Sequence, residues 1–306
     1  MDSIKVFAPN TVANVGCGYD VLGFALEGYG DELTVSKRSD SDLVITKIEG
    51  ADLPMDSETN VATVAIKAML SQLGSNQGFD LTIKKSINPG SGLGSSASSS
   101  AGAVFAANEL LGKPFTKHEL VAFAMEGERS SSGSAHADNV APSLLGGFTV
   151  VRSYDPLDVF NVPFPSELLA VIIYPEVQVK TADAKRVLKK QVDLKDAVRQ
   201  WGNMAGMISG LMSGNFERIG VSMEDVIVEP VRGMLIPFYD EAKRVALECG
   251  ALGFNISGSG PSSFALTNNP DTAEKIRRAC AAVYDEGGIS TISFVSRINQ
   301  EGTKVI

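Results

Sequence analysis

Residues 89–100, with the sequence PGSGLGSSASSS, constrain the fold of this chain more than any other stretch, because nine of them are glycine or serine. Such a composition is typical of a flexible linker, but the flanks indicate a structured junction. The preceding residues 79–87 (FDLTIKKSI) nearly alternate between apolar and polar, which predicts a half-buried strand. The following residues 101–113 (AGAVFAANELLGK) are good helix formers that end near Gly112. The segment is therefore predicted to connect a strand to a helix, with its last serines inside the helix.

The glycines of this loop predict a binding site for phosphate. Gly90, Gly92 and Gly94 lack a Cβ atom, so backbone N–H groups can approach a ligand closely. The helix that follows offers unpaired N–H groups and the positive end of its dipole, and Ser95 and Ser96 add hydroxyls that can reach a phosphate or a metal-bound oxygen. The loop is not of the Walker A type, because no lysine follows its last glycine. A structural tight turn before a helix is the alternative interpretation.

A second glycine-rich turn lies within residues 255–266 (NISGSGPSSFAL), where Gly258 and Gly260 flank a serine between two predicted strands. Such a turn can form a nest of N–H groups for an anion, or it can simply close a hairpin. Two such loops in one chain favour the first interpretation, with both loops facing one nucleotide.

Residues 8–26 (APNTVANVGCGYDVLGFAL) place Asn14 and Asp20 at a tight bend that contains two glycines. Apolar residues surround Asp20, so its carboxylate is predicted to be partly buried and to need a cation or several hydrogen-bond donors. The alternative is that Asp20 caps a helix that starts at Val21.

Polar groups are concentrated in residues 126–147, which contain Glu128, His136, Asp138 and Asn139. His136 has no other His or Cys nearby in the sequence to complete a metal triad, and a hydrogen-bonded structural role is the alternative to a role in binding. Because Asp138 and Asn139 are neighbours, we expect their side chains to point in different directions.

The chain as a whole is acidic, with a net charge of −9 over 306 residues and no cluster of Lys and Arg. This balance disfavours nucleic acids and anionic membranes as partners. Basic residues such as Lys185, Arg186 and Arg232 can still bind a small anion, although each can equally lie on a solvated helix face. The absence of a signal-peptide pattern, the shortness of the longest apolar run (168–175) and three scattered cysteines predict a cytoplasmic protein with reduced thiols.

The order of the predicted elements indicates a two-domain α+β protein, with helices set against mixed strands in both halves. The turn-rich residues 155–167 are the best candidate for a boundary, which gives domains of residues 1–165 and 166–306. Three helical stretches are predicted after that boundary, at about 182–200, 201–214 and 231–249.

Taken together, the three motifs at residues 8–26, 89–102 and 255–266 resemble, in order and spacing, those of the GHMP kinase superfamily. Within it, residues 136–147, 180–186 and 229–238 are similar to the branch that phosphorylates L-homoserine. The resemblance implies an N-terminal domain like that of ribosomal protein S5, a C-terminal ferredoxin-like domain and a homodimer. It also implies transfer of the γ-phosphoryl group of Mg-ATP to the side-chain hydroxyl of L-homoserine, on the route to threonine.

The resemblance further implies a set of site residues, with ATP and L-homoserine as substrates and Mg²⁺ as cofactor. The implied ATP-binding residues are Asn60, Pro89, Gly90, Ser91, Gly92, Leu93, Gly94, Ser95, Ser96, Ala97, Gly258 and Gly260. Ser96, from the Ser95/Ser96 pair, and Glu128 are the implied metal ligands and, with Asn139, the implied catalytic residues. The implied substrate-binding residues are Asn14, Asp20, His136, Asn139, Thr181, Lys185, Arg186 and Arg232.

The chemistry of an amino-acid zwitterion agrees with this assignment, since Asp20 can pair with its ammonium and Arg232 can bind its carboxylate in a bidentate manner. Two positions depart from the family pattern. Lys185 replaces an arginine, and a lysine is a point charge rather than a planar fork, so either Arg186 takes part or the substrate carboxylate is bound less tightly. Cys17 stands where proline is common.

Phosphoryl transfer depends mainly on positioning and charge neutralisation. Asn139 cannot act as a base, and we expect that no side chain does so and that the hydroxyl proton passes to the phosphate itself. The alternatives are a kinase for another small alcohol, such as L-threonine or mevalonate, and a nucleotide-binding sensor that keeps the fold without turnover.

Overall fold

The computed structural model describes residues 2–133, 136–179 and 181–306, which form two β-sheets with helices packed against them. The predicted junction around the glycine loop is confirmed. A strand at Phe79–Lys84 precedes the loop, and a helix at Ser95–Leu110 follows it and includes the serines. None of the helices in this described part of the chain is long and apolar enough to cross a bilayer.

The first sheet has seven strands within the described residues. They are β1 (Ser3–Ala13), β2 (Leu22–Lys37), β3 (Leu43–Glu49), β4 (Phe79–Lys84), β5 (Phe148–Tyr154), β6 (Leu157–Val162) and β11 (Lys304–Val305). Five of the strands follow the order β11-β1-β2-β4-β3, and β5 pairs with both β2 and β6. The parallel pair β3 and β4 is joined through a helix, and the other pairs are antiparallel.

In the part of the chain that the structure describes, four helices cover this sheet and share a core with it. They are α1 (Val61–Leu73), α2 (Ser95–Leu110), α3 (Lys117–Ser132) and α4 (Ala137–Leu145). Local signals define their ends: Asn60 caps α1 by accepting from the Ala62 N–H, and Thr116 with Glu119 forms a capping box for α3. The helix α2 is almost entirely buried, so its first turn is anchored within the protein.

The second sheet has four antiparallel strands in the described part of the chain, β7 (Leu169–Pro175), β8 (Gly253–Ile256), β9 (Ser263–Thr267) and β10 (Thr291–Arg297). Their order is β10-β7-β9-β8, which is the order of a ferredoxin-like sheet. The helices of this half are α5 (Thr181–Arg186), α6 (Leu194–Ser213), α7 (Phe216–Ser222), α8 (Glu229–Arg232), α9 (Tyr239–Glu248) and α10 (Pro270–Glu286).

The two halves share a hydrophobic core. The rings of Phe24 and Phe264 meet edge to face with centroids 5.7 Å apart, and those of Tyr29 and Phe294 stack at 3.7 Å. The last strand, β11, returns to the first sheet beside β1. The domain boundary between residues 165 and 166 therefore stays a prediction.

Three sequence expectations for local structure are wrong. The turn-rich residues 155–167 contain the strand β6, which pairs with β5. The predicted helices at 182–200 and 201–214 are divided elsewhere, because the chain is extended at Asp193 and α6 then runs unbroken to Ser213. The predicted helix at 231–249 is interrupted, because Pro237 lacks an N–H group and Phe238 has a left-handed backbone with φ +57°.

Candidate active site

A cavity of about 500 Å³ brings together residues from both halves of the chain. It is lined by Asn14, Tyr19, Asp20, Pro89, Gly90, Ser91, Gly92, Gly94, Ser95, Ser96, Glu128, His136, Asp138, Asn139, Arg232, Gly258 and Ser259. The segments 8–26, 89–100, 126–147 and 255–266 and the basic residue Arg232 all contribute to it.

The two glycine loops are packed against each other at this cavity. The Ser257 hydroxyl donates to the Gly92 carbonyl at 2.7 Å, and the Ser262 N–H donates to the Ser91 carbonyl at 3.1 Å. A Cβ atom on Gly92 would lie only 2.6 Å from the Ser257 carbonyl oxygen. The close approach of the two backbones therefore requires a glycine at position 92.

The N-terminus of α2 opens onto the cavity through Gly94. This glycine has a left-handed backbone with φ +61°, and among the described residues no side chain caps the helix. The first N–H groups of α2 are therefore available to an anion. A side chain at position 94 would meet the Thr11 hydroxyl, which donates to the Asn139 Oδ1 atom at 3.1 Å.

The two neighbouring serines of α2 have different surroundings. The Ser95 hydroxyl donates to the Ile87 carbonyl at 2.9 Å, whereas the Ser96 hydroxyl forms a hydrogen bond with Glu128. Burial raises the pKa of Glu128, and the hydrogen bond from Ser96 opposes this effect. Ser96 and Glu128 thus present a hydroxyl and a carboxylate side by side in the cavity.

The side chain of Asn14 fixes the bend in residues 8–26. Asn14 and Asp20 both have left-handed backbones, with φ +58° and +55°. The Asn14 side chain accepts from the Asp20 N–H at 2.8 Å and donates to the Gly258 carbonyl at 2.9 Å. Asp20 caps no helix, because β2 starts at Leu22, and its carboxylate lies instead at the cavity.

Two carboxylates and one imidazole form a compact cluster at one side of the cavity. One ligand atom from each of Asp20, His136 and Asp138 lies within 4.8 Å of the others, and His136 Nδ1 is 3.5 Å from Asp20 Oδ1. Burial, with a further contribution from the charge of Asp20, raises the pKa of Asp138 to about 7. The cluster is therefore suited to a cation.

Asp138 and Asn139 both line the cavity, which is compatible with the expectation that their side chains point in different directions. They occupy the first turn of α4, where successive side chains are separated by about 100°, so two neighbours can border one cavity at a helix end.

A buried arginine faces the same cavity. Arg232 is only 4% exposed; it donates from Nε to the Ala184 carbonyl and from Nη1 to the Gly258 carbonyl, both at 3.1 Å. Its guanidinium lies 5.0 Å from the centroid of the Tyr19 ring. The cavity thus holds a fixed cation in addition to the acidic cluster.

Comparison with known proteins identifies this arrangement. Residues 60–147 match the N-terminal domain of GHMP kinases, and residues 207–286 match their C-terminal domain. The homoserine kinase of Chloroherpeton thalassium is 43% identical over all of both chains, and that of Pyrococcus furiosus is 40% identical over 97% of this chain and 98% of its own. The chain belongs to the GHMP kinase family. The predicted resemblance and fold class are confirmed.

Solved structures agree with this membership. The crystal structure of homoserine kinase from Cytophaga hutchinsonii has a TM-score of 0.96 and 50% sequence identity, covering 100% of this chain and 98% of that one. The crystal structure of L. major mevalonate kinase, at 17% identity and a TM-score of 0.73 over 96% of both chains, shows the shared fold alone.

Not every predicted site residue of this GHMP kinase reaches the cavity. Arg186 is exposed and pairs with Asp183 at 2.9 Å, and the Asn60 amide caps α1 and donates to the Pro54 carbonyl. Leu93 and Ala97 are buried in the hydrophobic cores instead, and Gly260 packs beneath the loops without lining the cavity. The side chains of Thr181 and Lys185 lie outside the described residues.

Several residues of the site were missed in the sequence, among them Tyr19, Thr11 and Ser259. Tyr19 gives no signal beyond its place beside Asp20, and its role depends on contact with Arg232 from a distant helix. Thr11, which holds the Asn139 amide, has the same pattern as any buried strand residue.

Proposed function

We propose that the protein is a homoserine kinase, which transfers the γ-phosphoryl group of ATP to the side-chain hydroxyl of L-homoserine on the route to threonine. The observation that carries the proposal is the pairing, in one cavity, of an anion-binding loop with a cation and an acidic cluster. The homoserine kinases to which the chain is 40–43% identical support the same substrate.

The glycine loop and the start of α2 would bind the phosphates of ATP. Gly90, Gly92 and Gly94 all have positive φ angles, so N–H groups turn toward the cavity without obstruction from side chains. The helix dipole and the uncapped N–H groups of α2 then act on one anion.

Ser96 and Glu128 are suited to hold Mg²⁺ beside those phosphates. Hydroxyl and carboxylate oxygens are the hard ligands that this ion prefers, and a cation offsets the cost of burying the Glu128 carboxylate. When bound, the ion supplies neutralisation of phosphate charge. The hydroxyl of Ser95 is engaged with the Ile87 carbonyl, which favours Ser96 as the ligand.

The acidic cluster and Arg232 would hold the amino-acid zwitterion at its two ends. We assign the ammonium to Asp20, Asp138 and His136, and the carboxylate to Arg232. Asn14 and Asn139 add polar contacts along the cavity wall. Thr181 and Lys185 remain proposed ligands on the family resemblance alone.

Transfer would proceed without a side-chain base. The Asp138 carboxylate belongs to the cluster that pairs with the ammonium, and Asn139 has no basic group. The hydroxyl proton would therefore pass to the phosphate, while the site contributes positioning and charge neutralisation.

The experiment that tests the function is ADP production by the purified protein with Mg-ATP and a panel of alcohols: L-homoserine, L-threonine and mevalonate. We expect turnover with L-homoserine. Mevalonate lacks an ammonium group for the acidic cluster, so a preference for mevalonate, or ADP release that ignores the alcohol, would contradict the proposal.

We also propose that the protein is a homodimer that associates through α6. The exposed face of this helix carries apolar residues at alternating spacings of four and three, which is the pattern of a helix–helix seam. These residues are the exposed Leu194, Val198, Trp201, Ala205 and Met212, together with Ile208, which is half-buried against the core. A second copy of the same helix, related by a two-fold axis, would present an identical stripe.

A further inference from the structure

A lysine and an aspartate form a fully buried ion pair beneath the glycine loop. Lys85 Nζ lies 2.5 Å from Asp31 Oδ2, and their side chains are 1% and 0% exposed. Taking two charges out of water costs several kcal/mol per ion, and lysine is seldom buried without a partner. Such a pair therefore calls for an explanation beyond stability.

The pair is bonded to the first turn of α2. Besides Asp31, the Lys85 ammonium donates to the Ser95 carbonyl and, at 2.9 Å, to the Ser99 hydroxyl. The hydroxyls of Ser98 and Ser99 each donate to Asp31 Oδ2 at 2.8 Å. All three protons of the ammonium thus have acceptors. The pair bonds to Ser95, Ser98 and Ser99, which lie in the first turn of α2.

That turn is the one that presents the phosphate-binding groups. Ser95 and Ser96 line the cavity, and Gly94 precedes the helix without a side-chain cap. The position of the first N–H groups of α2 relative to an anion therefore depends on the contacts that Lys85 and Asp31 make with this turn.

We propose that Lys85 and Asp31 are positioning residues for the nucleotide, which hold the first turn of α2 in the orientation that binds phosphate. The inference rests on the proposed role of ATP. It does not require the ion pair to touch the nucleotide, and it assigns a purpose to Ser98 and Ser99, which do not line the cavity.

The test must separate positioning from stability. Lys85→Met alone leaves Asp31 charged and unpaired, which is strongly destabilising. The double variant Lys85→Met/Asp31→Asn removes both charges and keeps an amide oxygen for Ser98 and Ser99. A matched control is Lys5→Met/Glu32→Gln, which removes a 2.7 Å ion pair between β1 and β2; Glu32 follows Asp31 in the chain, and both side chains of the control pair are partly exposed.

The measurement is binding of Mg-ATP by titration calorimetry in the absence of acceptor, at a temperature well below the unfolding midpoint of each variant. We expect the Kd of the Lys85/Asp31 double variant to rise about tenfold, in line with the loss of outer contacts that orient binding groups. The control should bind like the wild type. A double variant that is folded and keeps the wild-type Kd would overturn the inference, whereas failure of the wild type to bind Mg-ATP would overturn the proposed function instead.

Ser99→Ala provides a second route should the double variant not fold. It removes one acceptor of Lys85 and one donor to Asp31, and alanine is a good helix former. We expect a smaller rise in the Kd for Mg-ATP, of about threefold. An unchanged Kd in this variant would also count against positioning.

Discussion

The guanidinium of Arg232 lies over the ring of Tyr19, 5.0 Å from its centroid, and the tyrosine side chain also interacts with the carboxylate of Asp20. A cation above an aromatic face is stabilised by the ring quadrupole. Tyr19 therefore sets the spacing between the positive and negative sides of the cavity. The site would recognise an amino-acid zwitterion by this spacing of charges.

Replacement of Arg232 by alanine should weaken L-homoserine binding by about 2–5 kcal/mol, because a desolvated charge partner is lost. The KM for ATP should stay near its wild-type value. Steady-state kinetics with each substrate varied in turn measure both effects. Arg186→Ala is the matched control, since Arg186 is 81% exposed and pairs with Asp183; equal effects from the two substitutions would contradict the assignment.

Alanine at position 92 should disrupt the contact between the glycine loops, whereas alanine at position 90 should not. Both glycines have positive φ, of +85° and +81°, so each substitution carries a backbone cost of about 1–3 kcal/mol. Only at Gly92 would the new Cβ also meet the second loop, 2.6 Å from the Ser257 carbonyl oxygen. We expect Gly92→Ala to lower the unfolding temperature more than Gly90→Ala and to raise the KM for ATP further. Equal effects would show that the loops need not touch.

Asp138→Asn should retain most of kcat while raising the KM for L-homoserine, because the carboxylate is assigned to the ammonium and not to the hydroxyl proton. We expect a loss of binding of about 1–3 kcal/mol. Initial rates at saturating and limiting L-homoserine separate the two parameters. Loss of kcat with intact affinity and fold would identify Asp138 as the base and end the base-free proposal.

The same substitution should make the protein more stable above about pH 5. The pKa of Asp138 is raised from 3.8 to about 7, chiefly by burial and then by Asp20. Between these values the unfolded chain releases the proton that the folded protein retains, so the wild type loses stability as the pH rises from about 4 to about 7, and the loss is constant above that. Asp138→Asn escapes this loss, which amounts to a few kcal/mol at most.

Thermal unfolding of the wild type and of Asp138→Asn across pH 4–8 measures this difference, which should grow with pH and then level off. Asp285→Asn is the control, because Asp285 is an exposed carboxylate near the end of α10. A constant difference between wild type and Asp138→Asn over the whole range would mean that Asp138 ionises normally.

The local structure of the glycine loop could be predicted from the sequence, because the residues that determine it are close together in the chain. Gly92 and Gly94 adopt left-handed backbones that only glycine tolerates readily, and the flanking strand and helix follow from simple periodicity. The family resemblance then placed Glu128 and Arg232 in the same cavity.

Long-range relationships could not be predicted in this way. Lys85 follows Lys84 at the end of a strand, a pattern typical of the surface, yet it is buried against Asp31 from another strand. For Arg186, one sequence interpretation is a substitute for the arginine that position 185 lacks, whereas in the structure its exposed guanidinium pairs with Asp183 one turn earlier in α5. The burial of Lys85 depends on how distant elements pack, which periodicity does not report.

Replacement of Trp201 by glutamate should separate the proposed dimer into monomers. Trp201 is 62% exposed near the middle of the apolar stripe on α6, and tryptophan at the centre of an interface is typical of a binding hot spot. A charge there would face its own copy across a two-fold axis, so both desolvation and repulsion oppose association. Sedimentation velocity at micromolar concentration gives the mass directly. Leu247→Glu, which changes a residue 44% exposed on α9, should leave the dimer intact. A monomeric wild type would leave the stripe without this partner and contradict the proposal.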